Sequence, residues 1–285
     1  MKKFIIFFSL FLFVLTLAAC AETDEADDDR VQIGVSIVPQ STFVEAVGKD
    51  RVRTTVLVPP GMSPASYEPS PREMVELDEA DLYFAIGVPT EAPNILPSID
   101  TDRTDVVMLH EIVAETHPDR EFAAGSRDPH IWLSVQRVIR MVEIIRDELI
   151  AIDPDYESEY RSNAADYISE LTDLDDYIED AVADLSVKEF IVYHPAFGYL
   201  ADDYGLEMHA IEQDGKEATP EHLADMVDFA RDRDIRVVFY QGEFSDAQAI
   251  SFAEEIDGEA MMLEPLAANY VENLQEMIDL MVETL

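Results

Sequence analysis

The chain has 285 residues, of which 61 are Asp or Glu and 19 are Lys or Arg; the formal net charge is −42, and 48% of the residues are hydrophobic. That apolar content excludes disorder and predicts a packed core, over a length that suits one large or two small domains. Nucleic acid and anionic lipid are excluded as electrostatic partners, because both require Lys and Arg to neutralise phosphates.

The amino terminus comes first. Met1-Lys2-Lys3 precedes an apolar run, Phe4 to Ala19, broken only by Ser9 and Thr16. It is too short and too one-sided in charge for an ordinary membrane span and reads as a secretory signal over residues 1–19. Its end, Leu17-Ala18-Ala19-Cys20, resembles the lipobox of bacterial lipoproteins, which implies lipidation at Cys20; the alternative is a plain secretory signal with an incidental Cys. Cys20 is the only cysteine, so an intrachain disulfide and cysteine catalysis elsewhere are excluded. Residues 20–29 carry six acidic residues and no large apolar one and read as an acidic, lipid-anchored tether. Acidic residues continue along the whole chain, while only five of the basic residues are Lys (Lys2, Lys3, Lys49, Lys188 and Lys216). This predicts a halophilic protein, since distributed carboxylates keep a chain soluble in high salt and repel one another when salt is removed.

From Val31, short β-branched runs alternate with turns and amphipathic segments: VQIGVSIV, RTTVLV, DLYFAIG and DVVML. Such alternation predicts a mainly parallel sheet flanked by helices. After Trp132, Val135, Val138, Ile139, Val142, Ile145 and Leu149 keep helical spacing as far as Asp153-Pro154. A longer helix follows, with Tyr156, Tyr160, Ala164, Tyr167, Leu171, Leu174, Ile178, Val182 and Leu185 three or four apart and no Gly or Pro between them. A second α/β series then begins with EFIVY, a helix through Ala196–Tyr204 and a short strand near Met208–Ile211. It continues with a helix from Pro220, the strand IRVVFY, a helix near Ala247–Ile256, the strand AMML and a closing helix from about Ala267. The predicted organisation is an amino-terminal lobe over 30–154, a bridging helix over 155–186 and a carboxyl-terminal lobe over 187–285.

Ligands of α/β sheets sit beyond the carboxyl ends of the strands. His194 stands there in Tyr193-His194-Pro195-Ala196-Phe197-Gly198-Tyr199, and Glu264 holds the matching place after AMML. His130 lies in the rigid turn Asp128-Pro129-His130-Ile131-Trp132-Leu133 before a helix, where capping or a core hydrogen bond is the competing role. Two imidazoles and a carboxylate suit Zn²⁺ and, with less preference, Mn²⁺. Gly61-Met62-Ser63-Pro64-Ala65 misses the nucleophile elbow by its final residue, and the ten glycines form neither G-x-G-x-x-G nor a P-loop.

DPHIWL, HPAFGYL and the loop from Val58 to Pro69 together resemble the zinc- and manganese-binding solute-binding lipoproteins of ABC importers, from about Val31 to the carboxyl terminus. The resemblance implies two α/β lobes joined by one long helix, with the metal between them. It implies three ligands, His130, His194 and Glu264, the last where the family more often has Asp. The family's first His ligand follows the loop proline, and Ala65 stands there. Water, Ser66, Glu68 or Glu243 would then fill the gap. Glu243, after the strand IRVVFY, is the strongest substitute, with a helix-start or solvated acid as its other role. His110 and His117, in the segment before His130, and His209 and His222 read as surface residues.

The expected function is an extracytoplasmic, lipid-anchored receptor on the periplasmic or cell surface. It captures a divalent transition metal, Zn²⁺ before Mn²⁺, as transported ligand and delivers it to the membrane permease of an ABC importer, acting as a monomer. It is expected to be no enzyme. A manganese receptor or a surface lipoprotein in cell adhesion is the alternative within the fold. A metal-dependent hydrolase is the alternative of another class, since catalytic zinc also uses three protein ligands and an open position.

Overall fold

The computed structural model describes residues 29–212, 218–244 and 246–285. The signal segment, Cys20 and all of the tether but Asp29 lie outside the described residues. Two four-stranded parallel sheets are formed. The first contains β1 (Val31–Val35), β2 (Val52–Val56), β3 (Leu82–Ala85) and β4 (Asp105–Met108), in spatial order β2-β1-β3-β4. The second contains β7 (Glu189–Val192), β8 (Glu207–Ala210), β9 (Val237–Gln241) and β10 (Glu259–Leu263), in order β10-β9-β7-β8. Read from the other edge, the second order repeats the first, so each lobe has its topological switch point between its first and third strands. In open α/β sheets the crevice beyond the carboxyl ends at such a point receives ligands. A short antiparallel pair, β5 (Glu121–Ala123) and β6 (Ser126–Arg127), leads into the Asp128-Pro129-His130 turn.

The helices are α1 (Val38–Gly48), α2 (Pro71–Leu77), α3 (Leu109–Ala114), α4 (Val135–Ile152), α5 (Glu157–Ala183), α6 (Gly198–Tyr204), α7 (Pro220–Asp232), α8 (Asp246–Glu255) and α9 (Tyr270–Thr284). The run VQIGVSIV, expected as one strand, ends its pairing at Val35; Val38 already opens α1, with Pro39 in its first turn, where a missing N–H costs nothing. Ser134 caps α4 by accepting the Arg137 N–H, and Asp153-Pro154 ends that helix. The 27-residue α5 buries one stripe along its length, Tyr160, Ala164, Tyr167, Leu171, Leu174, Ile178 and Val182, against α1, α4 and α9.

That stripe belongs to a hydrophobic cluster that takes in Val31, Ile33 and Val35 of the first sheet, Phe190 and Phe239 of the second, and Leu274, Ile278 and Met281 of α9; smaller clusters lie on the outer faces of the second sheet, around Val238 and Phe252, and of the first, around Leu77 and Tyr83. Residues Val31–Leu285 accordingly form one compact unit. Polar links stitch the lobes beside the cleft. Trp132 donates its indole N–H to the Pro265 carbonyl at 2.9 Å, Tyr270 donates to the Trp132 carbonyl at 2.8 Å, and Thr42 donates to the Ala268 carbonyl.

Candidate metal centre

Between the lobes, at the carboxyl ends of both sheets, lies a cavity of about 490 Å³. Its walls include Pro64, Ala65, Gly87, Glu91, His110 and His130 from the first lobe and His194, Gln241, Glu243 and Phe244 from the second.

His130 is held by its own turn. Asp128, fully buried, accepts both the His130 backbone N–H at 3.0 Å and the ring Nδ1–H at 2.7 Å, while its other oxygen pairs with Arg120 at 3.1 Å. His194, two residues beyond β7, gives its Nδ1–H to Glu212 at 2.6 Å and stacks on Phe244 with ring centroids 4.4 Å apart. A carboxylate on each Nδ1 selects the tautomer with a lone pair on Nε2. These two nitrogens face each other at 3.3 Å. Burial, opposed by Asp128, holds His130 below the ordinary histidine pKa, which keeps its ring neutral and available as a donor. Two lone pairs at that distance repel unless a cation sits between them. Tetrahedral zinc with Zn–N bonds of 2.0–2.1 Å spaces its nitrogens about 3.3–3.4 Å apart, so the pair is already at ligand spacing. Trp132 and Phe122 crowd His130, with centroids 5.2 and 6.2 Å away, and keep the local dielectric low.

The carboxylates named from the sequence stand further off. Glu243 lines the cavity, half-buried. Burial and the neighbouring Glu264 raise its carboxyl pKa, against the pull of its own backbone N–H and of His194. Glu264 is exposed; its carbonyl accepts from Asn273, and the wall beside it is made by Pro265 and Leu266. Neither closes a trio of donor atoms with the two imidazoles inside 4.8 Å; among the described residues only Glu189, Glu207 and His209 form such a trio. Ala65 reaches the cavity wall, whereas Ser66 and Glu68 are exposed and outside it.

Four residues were not anticipated as part of this site. Asp128 and Glu212 orient the imidazoles. His110 was expected at the surface, yet it lines the cavity with its Nδ1 buried and unpartnered, and burial and Arg127 lower its pKa. Like His194, it stands two residues after a strand end, a place from which it was readable. Glu91, 2% exposed, accepts from the backbone N–H groups of Ile86 at 2.9 Å and Gly87 at 2.7 Å and from Ser36, at the switch point of the first sheet. Burial raises its pKa. Gly87 has φ +86, and a Cβ there would meet the Arg127 guanidinium at 2.5 Å, so the turn around Glu91 requires glycine.

Residues 33–285 match the family model described as ZnuA, zinc-uptake complex component A, periplasmic. The chain belongs to this family. The ZnuA family is an uptake component and not an enzyme, which answers the hydrolase alternative. The zinc-binding lipoprotein AdcA of Streptococcus pneumoniae strain R6 is 30% identical over 275 residues, covering 90% of this chain and 54% of AdcA. The chain thus spans about half the length of the AdcA relatives it matches. The manganese-binding lipoprotein MntA of Halalkalibacterium halodurans is 27% identical over 301 residues, covering 100% of this chain and 99% of MntA. A crystal structure of ZnuA superposes with a TM-score of 0.84 at 33% identity, over 90% of this chain and 99% of that one.

Proposed function

We propose that this chain is the extracytoplasmic, lipid-anchored receptor of an ABC importer, a monomer that captures Zn²⁺ between its lobes and presents it to the permease. The observation that carries the reading is the pair of imidazole Nε2 atoms 3.3 Å apart, each ring fixed by a carboxylate on its Nδ1. Two nitrogen donors disfavour Ca²⁺ and Mg²⁺, which take all-oxygen shells. His130 and His194 supply those donors; Glu243, on the cavity wall, supplies oxygen, and Glu264, exposed in this structure, would join it by turning inward. The relatives support the class of cargo, being named for zinc or manganese. Manganese is the second reading. The match to MntA over the whole chain and the two nearby carboxylates favour it, since Mn²⁺ accepts oxygen more readily than Zn²⁺ does. The dispersed charge goes with a saline environment, where screening relieves self-repulsion.

Elemental analysis and calorimetric titration of the full chain with Zn²⁺, Mn²⁺ and Fe²⁺ in high salt test this function. Zinc is expected to bind most tightly, and His130→Ala and His194→Ala are each expected to lose most of that affinity. Parent-like zinc binding in both variants overturns the assignment; tighter Mn²⁺ than Zn²⁺ binding, lost in the same variants, selects the second reading.

A further inference from the structure

At the opposite end of the second sheet, three donor side chains share one face. Glu189 is the first residue of β7 and Glu207 the first of β8, and the two are paired directly across the parallel ladder. His209, two residues along β8, returns to the same face as Glu207. Like charges directly opposite one another destabilise a sheet. Arg233 answers only part of this, holding Glu189 through contacts of 2.7 and 2.9 Å. Beside Glu207 stands His209, with Nε2 3.4 Å from its Oε1 and 3.9 Å from Oε1 of Glu189.

That nitrogen is the second observation. His209 Nε2 is buried and makes no hydrogen bond, although it faces both carboxylates. The ring is packed at 4.2 Å against Phe229 of α7, which limits its rotation. The three donor atoms lie within 4.8 Å of one another. Ligand atoms of a tetrahedral ion with bonds of 2.0–2.2 Å are about 3.3–3.6 Å apart, so small side-chain adjustments close the shell.

We propose that Glu189, Glu207 and His209 form a second metal site that takes a divalent transition ion of the zinc class, with water completing its shell. The imidazole donor disfavours Ca²⁺ and Mg²⁺. Glu189 precedes His194 by five residues of mostly extended chain, which places this site about 16 Å from the central one. No donor is shared, and the second site stands or falls independently of the first. It is the more exposed of the two, since the Glu207 side chain is 67% accessible, and it fills at higher free zinc.

The test is equilibrium dialysis of the full chain against increasing Zn²⁺ in high salt, with bound metal counted by elemental analysis. The parent is expected to bind two equivalents in two phases, His194→Ala to lose the tight one, and His209→Ala and His209→Gln to lose the weak one. His209→Gln keeps bulk beneath Phe229 and guards against a folding defect. A single equivalent in the parent at saturating zinc overturns the proposal, as does a weak equivalent that survives both His209 substitutions. Loss of both equivalents in both His209 variants also counts against it, because the sites would then not be separate.

Discussion

Glu212 offers a sharp test of the central site, because it touches a proposed ligand without being one. Its carboxylate takes the His194 Nδ1–H at 2.6 Å and is only 9% exposed, so bulk water does not replace it freely. Glu212→Gln keeps an acceptor but removes the charge that stabilises an imidazole bearing a cation on its far nitrogen; Glu212→Ala removes both. Loss of such partners typically weakens metal binding by about 10- to 100-fold, and we expect Gln near the lower end and Ala near the upper, or about 1.4 and 2.7 kcal/mol. At free zinc 100 times the parent dissociation constant, binding stabilises the parent by about 2.7 kcal/mol, Glu212→Gln by about 1.4 and Glu212→Ala by about 0.4. Competition against a chromophoric chelator gives the affinities, and melting with and without zinc gives the stabilisation. The metal-free Glu212→Gln protein should melt within a few degrees of the parent, since at this size 1 kcal/mol moves the midpoint by about 2–4 °C. Parent-like zinc affinity in both folded variants would refute the argument that the Nδ1 carboxylates prepare the two Nε2 atoms for a metal. Asp128 is a poorer probe, because its removal also strips Arg120 of its buried partner.

Three further expectations are open to measurement. Ala65→His puts an imidazole on the cavity wall and should tighten Zn²⁺ binding by at least about 10-fold, the lower bound for changes around a metal shell; no gain there, together with a strong loss in Glu243→Ala, would show that Glu243 already fills the position. Removal of the signal takes away Lys2 and Lys3 and moves the net charge from −42 to −44, so the melting temperature should climb as NaCl rises from about 0.1 to 2 M. A flat profile contradicts the halophilic expectation. Cys20→Ser should release the protein from the membrane fraction, and an unmodified amino terminus in the parent would remove the anchor.

Much of the architecture was legible because parallel strands buried on both faces leave uninterrupted apolar runs, and because α5 keeps its period over seven turns. The elements that were missed are short. Ser70-Pro71-Arg72-Glu73 carries a capping box that starts α2, where Ser70 and Glu73 bond each other's backbone N–H, yet only Leu77 of that helix is buried and its periodicity is faint. The β5–β6 pair has too few residues to show alternation. At the site, His130 and His194 were readable from rigid turns and a strand end. Glu212 and Asp128 were not singled out, since nothing local says that an acid will meet an imidazole 18 positions away or curl back on one two positions ahead. His110 was read as a surface residue with the segment before His130, although its place after β4 repeats that of His194 after β7.

The cluster shared by both sheets has a consequence for the order in which the chain can acquire structure. Val31 and Ile33 are buried in the same cluster as Leu274, Ile278 and Met281, more than 240 positions away, with α5 between them. Neither sheet can shed its water completely until α9 has arrived, and contacts of such long range close slowly. A polypeptide that must be threaded across a membrane before it folds benefits from that delay. Its leading half lacks the partner surface that would lock it prematurely on the wrong side. The same dependence makes the finished molecule melt as one body, so calorimetry of the folded chain should show one transition and not one for each lobe.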